Sequence, residues 1–271
     1  MSKNYLPDIV VIKKPFAWFK KVLVLMLVVI MVVGTFILAD ICSGALSVGA
    51  LGLNFSGSDR INIDKHSLYA ISMGAYEDKP SADKVALGLQ VQGGAGYVWQ
   101  SNNKYLVLGS IYSKKEDADS VVDDLSKSNY AVQVFEIKFA KLSLVIKGLE
   151  KQDNAFIKDM FLDLDKMYTD IYTYSINYDS NASNNLAISA GLNTLKGEVK
   201  KYISKLQELA TKVSSNYVSI IKDSFILLDS VLDTAVYRTL TDSGINYYLK
   251  YLMCEVVDIN YKLNQNLYQA K

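Results

Sequence analysis

Hydrophobic positions fall into three regimes along the chain, and each predicts a different kind of structure. Residues 22–39 read VLVLMLVVIMVVGTFILA, with no charge anywhere in the run. At about 1.5 Å rise per residue a helix of that length spans roughly 27 Å, enough for the hydrocarbon core of a bilayer. A stretch apolar on every side for so long predicts a single transmembrane helix over 22–40. Residues 41–65 lose this pattern and become rich in Gly, Ser and Asn, with Gly44, Gly49, Gly52 and Gly57, which predicts a flexible linker. Its apolar side chains (Leu46, Val48, Leu51, Leu53, Phe55) are free to lie against the bilayer or the next domain.

From 66 to 139 the period alternates between two and 3.6. Leu68–Met73 alternates as a strand, and Gly74 ends it. Ser81–Gln90 puts Ala82, Val85, Ala86 and Leu89 on one helical face, with Pro80 at the start, where a missing N–H costs little. Gly93-Gly94-Ala95-Gly96 leads into a strand over Tyr97–Gln100, and Ser101-Asn102-Asn103 turns into another over Lys104–Leu108. Lys115–Lys127 is amphipathic, with Ala118, Val121, Val122 and Leu125 inward, and Ala131–Ile137 is the last strand. The order is βαββαβ. It contains an internal repeat: Met73-Gly74-Ala75-Tyr76 and Leu108-Gly109-Ser110-Ile111-Tyr112 each close a strand with Gly and then an aromatic. Ala82 and Val85 recur as Ala118 and Val121. Two such units make a four-stranded antiparallel sheet with two helices on one face and the other face open.

Residues 140–271 contain no proline and keep helical spacing throughout. Ile157, Phe161, Leu164, Tyr168, Ile171 and Tyr174 mark one face. Leu192, Leu195, Val199, Tyr202, Leu206, Leu209 and Val213 follow a coiled-coil rhythm, and Tyr248, Leu252, Val256, Ile259 and Leu263 a further face. Asp179–Asn185 and Asp242-Ser243-Gly244 read as loops. Three or four long helices so joined predict an antiparallel helical bundle. The fold class is therefore α+β: a cytoplasmic tail over 1–21, a membrane helix, a linker, a βαββαβ domain over 66–139 and an all-α bundle over 140–271.

Charge sets the orientation. Lys13, Lys14, Lys20 and Lys21 flank the N-terminal side of the apolar run and Asp40 the other, so the positive-inside rule puts 1–21 in the cytoplasm and the remainder outside the cell. Phe16, Trp18 and Phe19 sit where interfacial aromatics belong. Cleavage is the competing reading, since Ile37-Leu38-Ala39 and Ser43-Gly44-Ala45 both resemble signal-peptidase sites. A signal peptide usually has a shorter apolar run, of about 7–15 residues. A lipoprotein reading of Cys42 meets Ile41 where a small residue is expected. An uncleaved single-pass anchor in the cell membrane is the preferred reading.

Composition removes several function classes. With 29 basic and 28 acidic residues the net charge is +1, which excludes a broad basic nucleic-acid surface. Two cysteines (Cys42 and Cys254) and one histidine (His66) leave no disulfide scaffold and no His- or Cys-based metal cluster. There is no nucleophile elbow, phosphate loop or zinc motif, so no cofactor is implied and the chain reads as non-catalytic. His66, just before the first strand, reads as a solvated linker residue, and Cys254 as a core thiol.

The segments Tyr69–Tyr76 and Tyr105–Gly109, with Ala82 and Ala118, resemble the SPOR domain, whose pattern is a strand ending in Gly-small-aromatic, then a helical Ala, then both again. The likeness covers some seventy residues. Such domains are extracytoplasmic, often follow one membrane helix, and bind peptidoglycan glycan strands stripped of stem peptides, which concentrates them at division septa. The resemblance thus implies a membrane-anchored peptidoglycan-binding protein of cell division or sporulation. Strand alternation expects Ile71, Met73, Val98, Leu106 and Leu108 beneath the helices, and Ala70, Ser72, Tyr97, Trp99, Tyr105 and Val107 on the open face. Aromatic rings there suit the C–H faces of pyranoses. The expected glycan contacts are Ser72, Tyr97, Trp99, Tyr105, Val107 and Gln133. Ser72 stands where the family usually has Gln, and the polar residue usual near Tyr105 and Val107 is missing. The other reading is that Tyr97, Trp99 and Tyr105 pack against the C-terminal region, as a tethered scaffold whose bundle binds protein partners or its own kind.

Overall fold

The computed structural model describes residues 60–127, 131–242 and 245–270. The apolar run at 22–39, its flanks and most of the expected linker lie outside the described residues. Among those described, no helix is long and apolar enough to cross a membrane.

The order of elements is β1 (Arg60–Ile63), β2 (His66–Tyr76), α1 (Lys79–Val91), β3 (Tyr97–Ser101), β4 (Lys104–Tyr112), α2 (Lys115–Lys127), β5 (Gln133–Phe139), β6 (Leu142–Val145), then helices α3 (Lys151–Asp179), α4 (Asn185–Lys212), α5 (Asn216–Thr241) and α6 (Asn246–Gln269). Strands β3-β4-β2-β5 form one antiparallel sheet in that spatial order, with α1 and α2 on one face. The mixed α+β architecture, the four-stranded antiparallel sheet and the C-terminal helices agree with the sequence pattern.

Local chemistry explains each boundary. Asp78 caps α1 by accepting from the Ser81 N–H at 2.8 Å, and Pro80 occupies the first turn. Asn102 and Asn103 both adopt positive φ, which makes the β3–β4 connection a two-residue hairpin matched to the twist of its strands. Asn184 caps α4 through the Ala187 N–H at 3.0 Å. In the bundle, α4 and α5 form a close hairpin, and α6 packs between α5, α3 and the sheet.

Two features were not expected. A second, two-stranded sheet pairs β1 with β6 antiparallel, so residues 60–63 of the expected linker and 142–145 of the expected bundle form structure together. Ile61, Leu142 and Leu144 are fully buried in it. His66 is likewise no solvated linker residue: it opens β2, stacks on Phe139 at 4.2 Å between ring centroids, and lies 3.7 Å from Asp165 of α3. One hydrophobic core runs from Leu68 through the sheet to Leu267 of α6, so α/β half and bundle fold as a single compact unit.

The turn into β3 is sterically demanding. Gly96 has φ +57°, and a Cβ there would meet the Ala86 carbonyl oxygen well inside van der Waals contact. Gly96→Ala should therefore cost toward the upper end of the roughly 1–3 kcal/mol typical of such backbone strain. Chemical denaturation of the two proteins measures it.

Candidate functional site

The sequence points to the sheet face opposite α1 and α2. Antiparallel pairing decides which side chains lie there, because residues directly opposite each other share a face. The hairpin register pairs Trp99 with Leu106, Tyr97 with Leu108, Val98 with Val107 and Gln100 with Tyr105. Tyr97 and Trp99 therefore share their face with Leu106 and Leu108, and with Ala70 and Ile137. Tyr105 and Val107 point the other way. Val107 is buried under α1 with Ala82 and Ala86, and Tyr105 packs on that same small cluster. This reverses the expected orientation of β4: Leu106 and Leu108 are not beneath α1 and α2, and Tyr105 and Val107 are not beside Tyr97 and Trp99.

Nor is the face open. Helix α6 lies across β3, β4 and β5 and closes it. Trp99 is 2% exposed and Tyr97 9%. Trp99 meets Tyr261 of α6 at 5.3 Å and Phe135 at 6.3 Å, and Tyr97 meets Tyr251 edge-on at 5.1 Å. Of the six expected contacts, the structure brings Ser72, Tyr97 and Trp99 to one covered face. Ser72 is fully buried, its hydroxyl spent locally on Gly74. Gln133, at the start of β5 opposite Ser72, is exposed.

Polar contacts fix α6 in place. The Tyr97 hydroxyl donates to Asp258 Oδ2 at 2.6 Å, and Lys262 Nζ reaches the same oxygen at 2.8 Å. Burial, and after it the charge of Asp258, raises the Tyr97 phenol far above its usual range, so it stays a donor. Asn264 clamps Ala140, accepting from its N–H at 2.8 Å and donating to its carbonyl at 2.9 Å. From α3, the Tyr168 hydroxyl donates to the Ile111 carbonyl at 3.2 Å. Lys250 donates to the Gly93 carbonyl at 3.1 Å and pairs with Asp179 at 2.8 Å.

Sequence reading missed Asp258, Tyr261 and Asn264. Their signal lay in the run Tyr248–Ile259, which is apolar on more than one helical face and interrupted by two acids. Such a helix has to be covered on two sides. Cys254 sits wholly inside this layer, where burial pushes its thiol well above the usual value and keeps it unreactive. No group of residues that could hold a metal ion occurs among the described residues.

Two substitutions separate packing from hydrogen bonding at this seam. Trp99→Ala should lose about 3–5 kcal/mol of stability, the usual cost of emptying an aromatic site in a core. Tyr97→Phe keeps the ring and removes a hydrogen bond to a charged group, for about 1.5–3 kcal/mol. Urea denaturation midpoints of both variants check the order.

No family model matches the sequence, and no curated protein matches it. Among solved structures, the chain is similar to the solution structure of the peptidoglycan binding domain of the B. subtilis cell wall lytic enzyme CwlC. That likeness has 23% identity and a TM-score of 0.24, and it covers 27% of this chain and 94% of that one.

Proposed function

We propose that this chain is a non-catalytic, membrane-tethered extracytoplasmic scaffold. Its SPOR-like sheet serves as the floor on which the helical bundle is built, and the bundle contacts protein partners. The observation that carries this reading is the burial of Trp99 and Tyr97 beneath α6, with the Tyr97 hydroxyl committed to Asp258. Magnitudes favour it over sugar stacking. To reach those rings a glycan would have to lift α6 from Tyr97, Trp99, Leu106, Leu108, Ile137 and Phe139. At about 1.5–3 kcal/mol per large apolar side chain, that exposure costs on the order of 10 kcal/mol. A ligand of micromolar to millimolar affinity supplies only about 4–8 kcal/mol.

The second reading is glycan binding at septa, with the bundle displaced; the repeated strand-Gly-aromatic motif at Gly74 and Gly109 favours it. Retention of the full chain on purified sacculi, intact or stripped of stem peptides by amidase, separates the two. The scaffold reading expects equal, background retention on both, unchanged by Trp99→Ala in protein that remains folded. Preferential retention on stripped sacculi, abolished by Trp99→Ala, would establish the second.

A further inference from the structure

A cleft of about 350 Å³ opens where α1, α5 and α6 meet, away from the covered sheet face. Its walls carry Tyr247, Tyr248, Tyr251 and Glu255 of α6, Arg238 of α5 and Gln90 of α1. The positive charge in it is already matched: Arg238 donates to Asp242 at 3.0 Å and to the Tyr247 hydroxyl at 2.8 Å, and its guanidinium lies 4.1 Å above the Tyr248 ring. That stacking shows that the rings here present their negative faces to a cation. Glu255 is the reverse case. It is half-buried, and no described residue donates a hydrogen bond to its carboxylate or pairs with its charge. Asp258, one turn along the helix, is bonded to Tyr97 and Lys262 instead. The rings of Tyr248 and Tyr251 lie nearly parallel, 13° apart, with centroids 6.2 Å from each other.

A carboxylate withdrawn from water, set among phenol rings and left without a cation, is costly to the fold and complementary to one kind of ligand. We propose that this cleft binds a primary alkylammonium group, as borne by a lysine-like side chain, with Glu255 accepting its N–H bonds and the rings of Tyr247 and Tyr251 flanking its alkyl stem. The site is independent of the scaffold reading, since none of the groups proposed to hold the ligand belongs to the sheet. The groups facing Glu255 are Tyr97 from β3, Tyr248, Tyr251 and Asp258 on its own helix, Arg238 across the Tyr248 ring, and neutral Gln90. Burial, and then the Asp258 charge, raise the Glu255 carboxyl above the usual range, and no cation in the described protein opposes them. Binding should therefore weaken as pH falls through that raised value. The sign for stability follows the same way: the native state holds this proton more tightly than the unfolded chain, so the charged carboxylate costs stability above the raised pKa.

The test uses the full chain in detergent micelles and N-acetyl-lysine methylamide as probe, with its ε-acetylated form as the neutral control, followed by saturation-transfer NMR. The expected result is saturable binding of the amine, none of the acetylated form, and at least about a tenfold loss in Glu255→Gln. Glu255→Gln should also show no fall in melting temperature at neutral pH, since it removes an unpaired charge. Tyr247→Leu, which keeps the carboxylate, should weaken binding several-fold and supplies the answer if Glu255→Gln does not fold. Absence of saturable binding to the native chain, equal binding of the acetylated probe, or undiminished binding by folded variants would overturn the proposal.

Discussion

The structure depends on one act of burial: α6 pressed onto the sheet face that carries Tyr97, Trp99, Leu106 and Leu108. A sheet with apolar side chains on both faces has to be covered on both. Helices α1 and α2 cover Met73, Val98 and Val107 on one side, and α6 covers the aromatic side. The helix has the complementary problem. Tyr248, Leu249, Leu252, Met253, Val256, Val257 and Ile259 spread over about half of its circumference, so it needs neighbours on more than one side. The sheet supplies one, and α3 and α5 the others. Neither surface is stable in water without its partner, which is why the two halves share one core.

Apolar burial gives that contact its strength but not its register. Register comes from polar groups that have one good position each: Tyr97 on Asp258, Asn264 on the Ala140 backbone, Lys250 on the Gly93 carbonyl. Asn260 donates to Asp165 at 3.0 Å while His66 approaches the same carboxylate, so α6, α3 and β2 meet at one point. A slip of α6 by one turn would leave these groups buried and unpaired, at about 1–3 kcal/mol each. Such a helix has one place to dock.

Much of this was legible in the residues, and the failures are instructive. Helix α1 followed from Pro80 and the Ala82/Ala86 spacing, and the β3–β4 hairpin from Asn102-Asn103. The same hairpin also settled which face each β4 residue takes. A two-residue turn pairs Trp99 with Leu106, so Tyr105 cannot lie beside Trp99; alternation applied strand by strand missed this, and pairing would have caught it. Strands β1 and β6 are four residues each and meet only through a contact some eighty positions apart in sequence, which no local period announces. The covering of the aromatic face could be read from the bundle rather than the sheet, in the width of the apolar surface around Tyr248–Ile259.

The most direct test of the buried face is the fluorescence of Trp99. The chain has two tryptophans, and Trp18→Phe leaves Trp99 as the sole reporter. With α6 docked, its emission should be blue-shifted, poorly quenched by acrylamide, and unchanged when amidase-stripped glycan is added. Red-shifted emission with ready quenching in the folded protein, or a shift on adding glycan, would contradict the account and return the sheet to solvent.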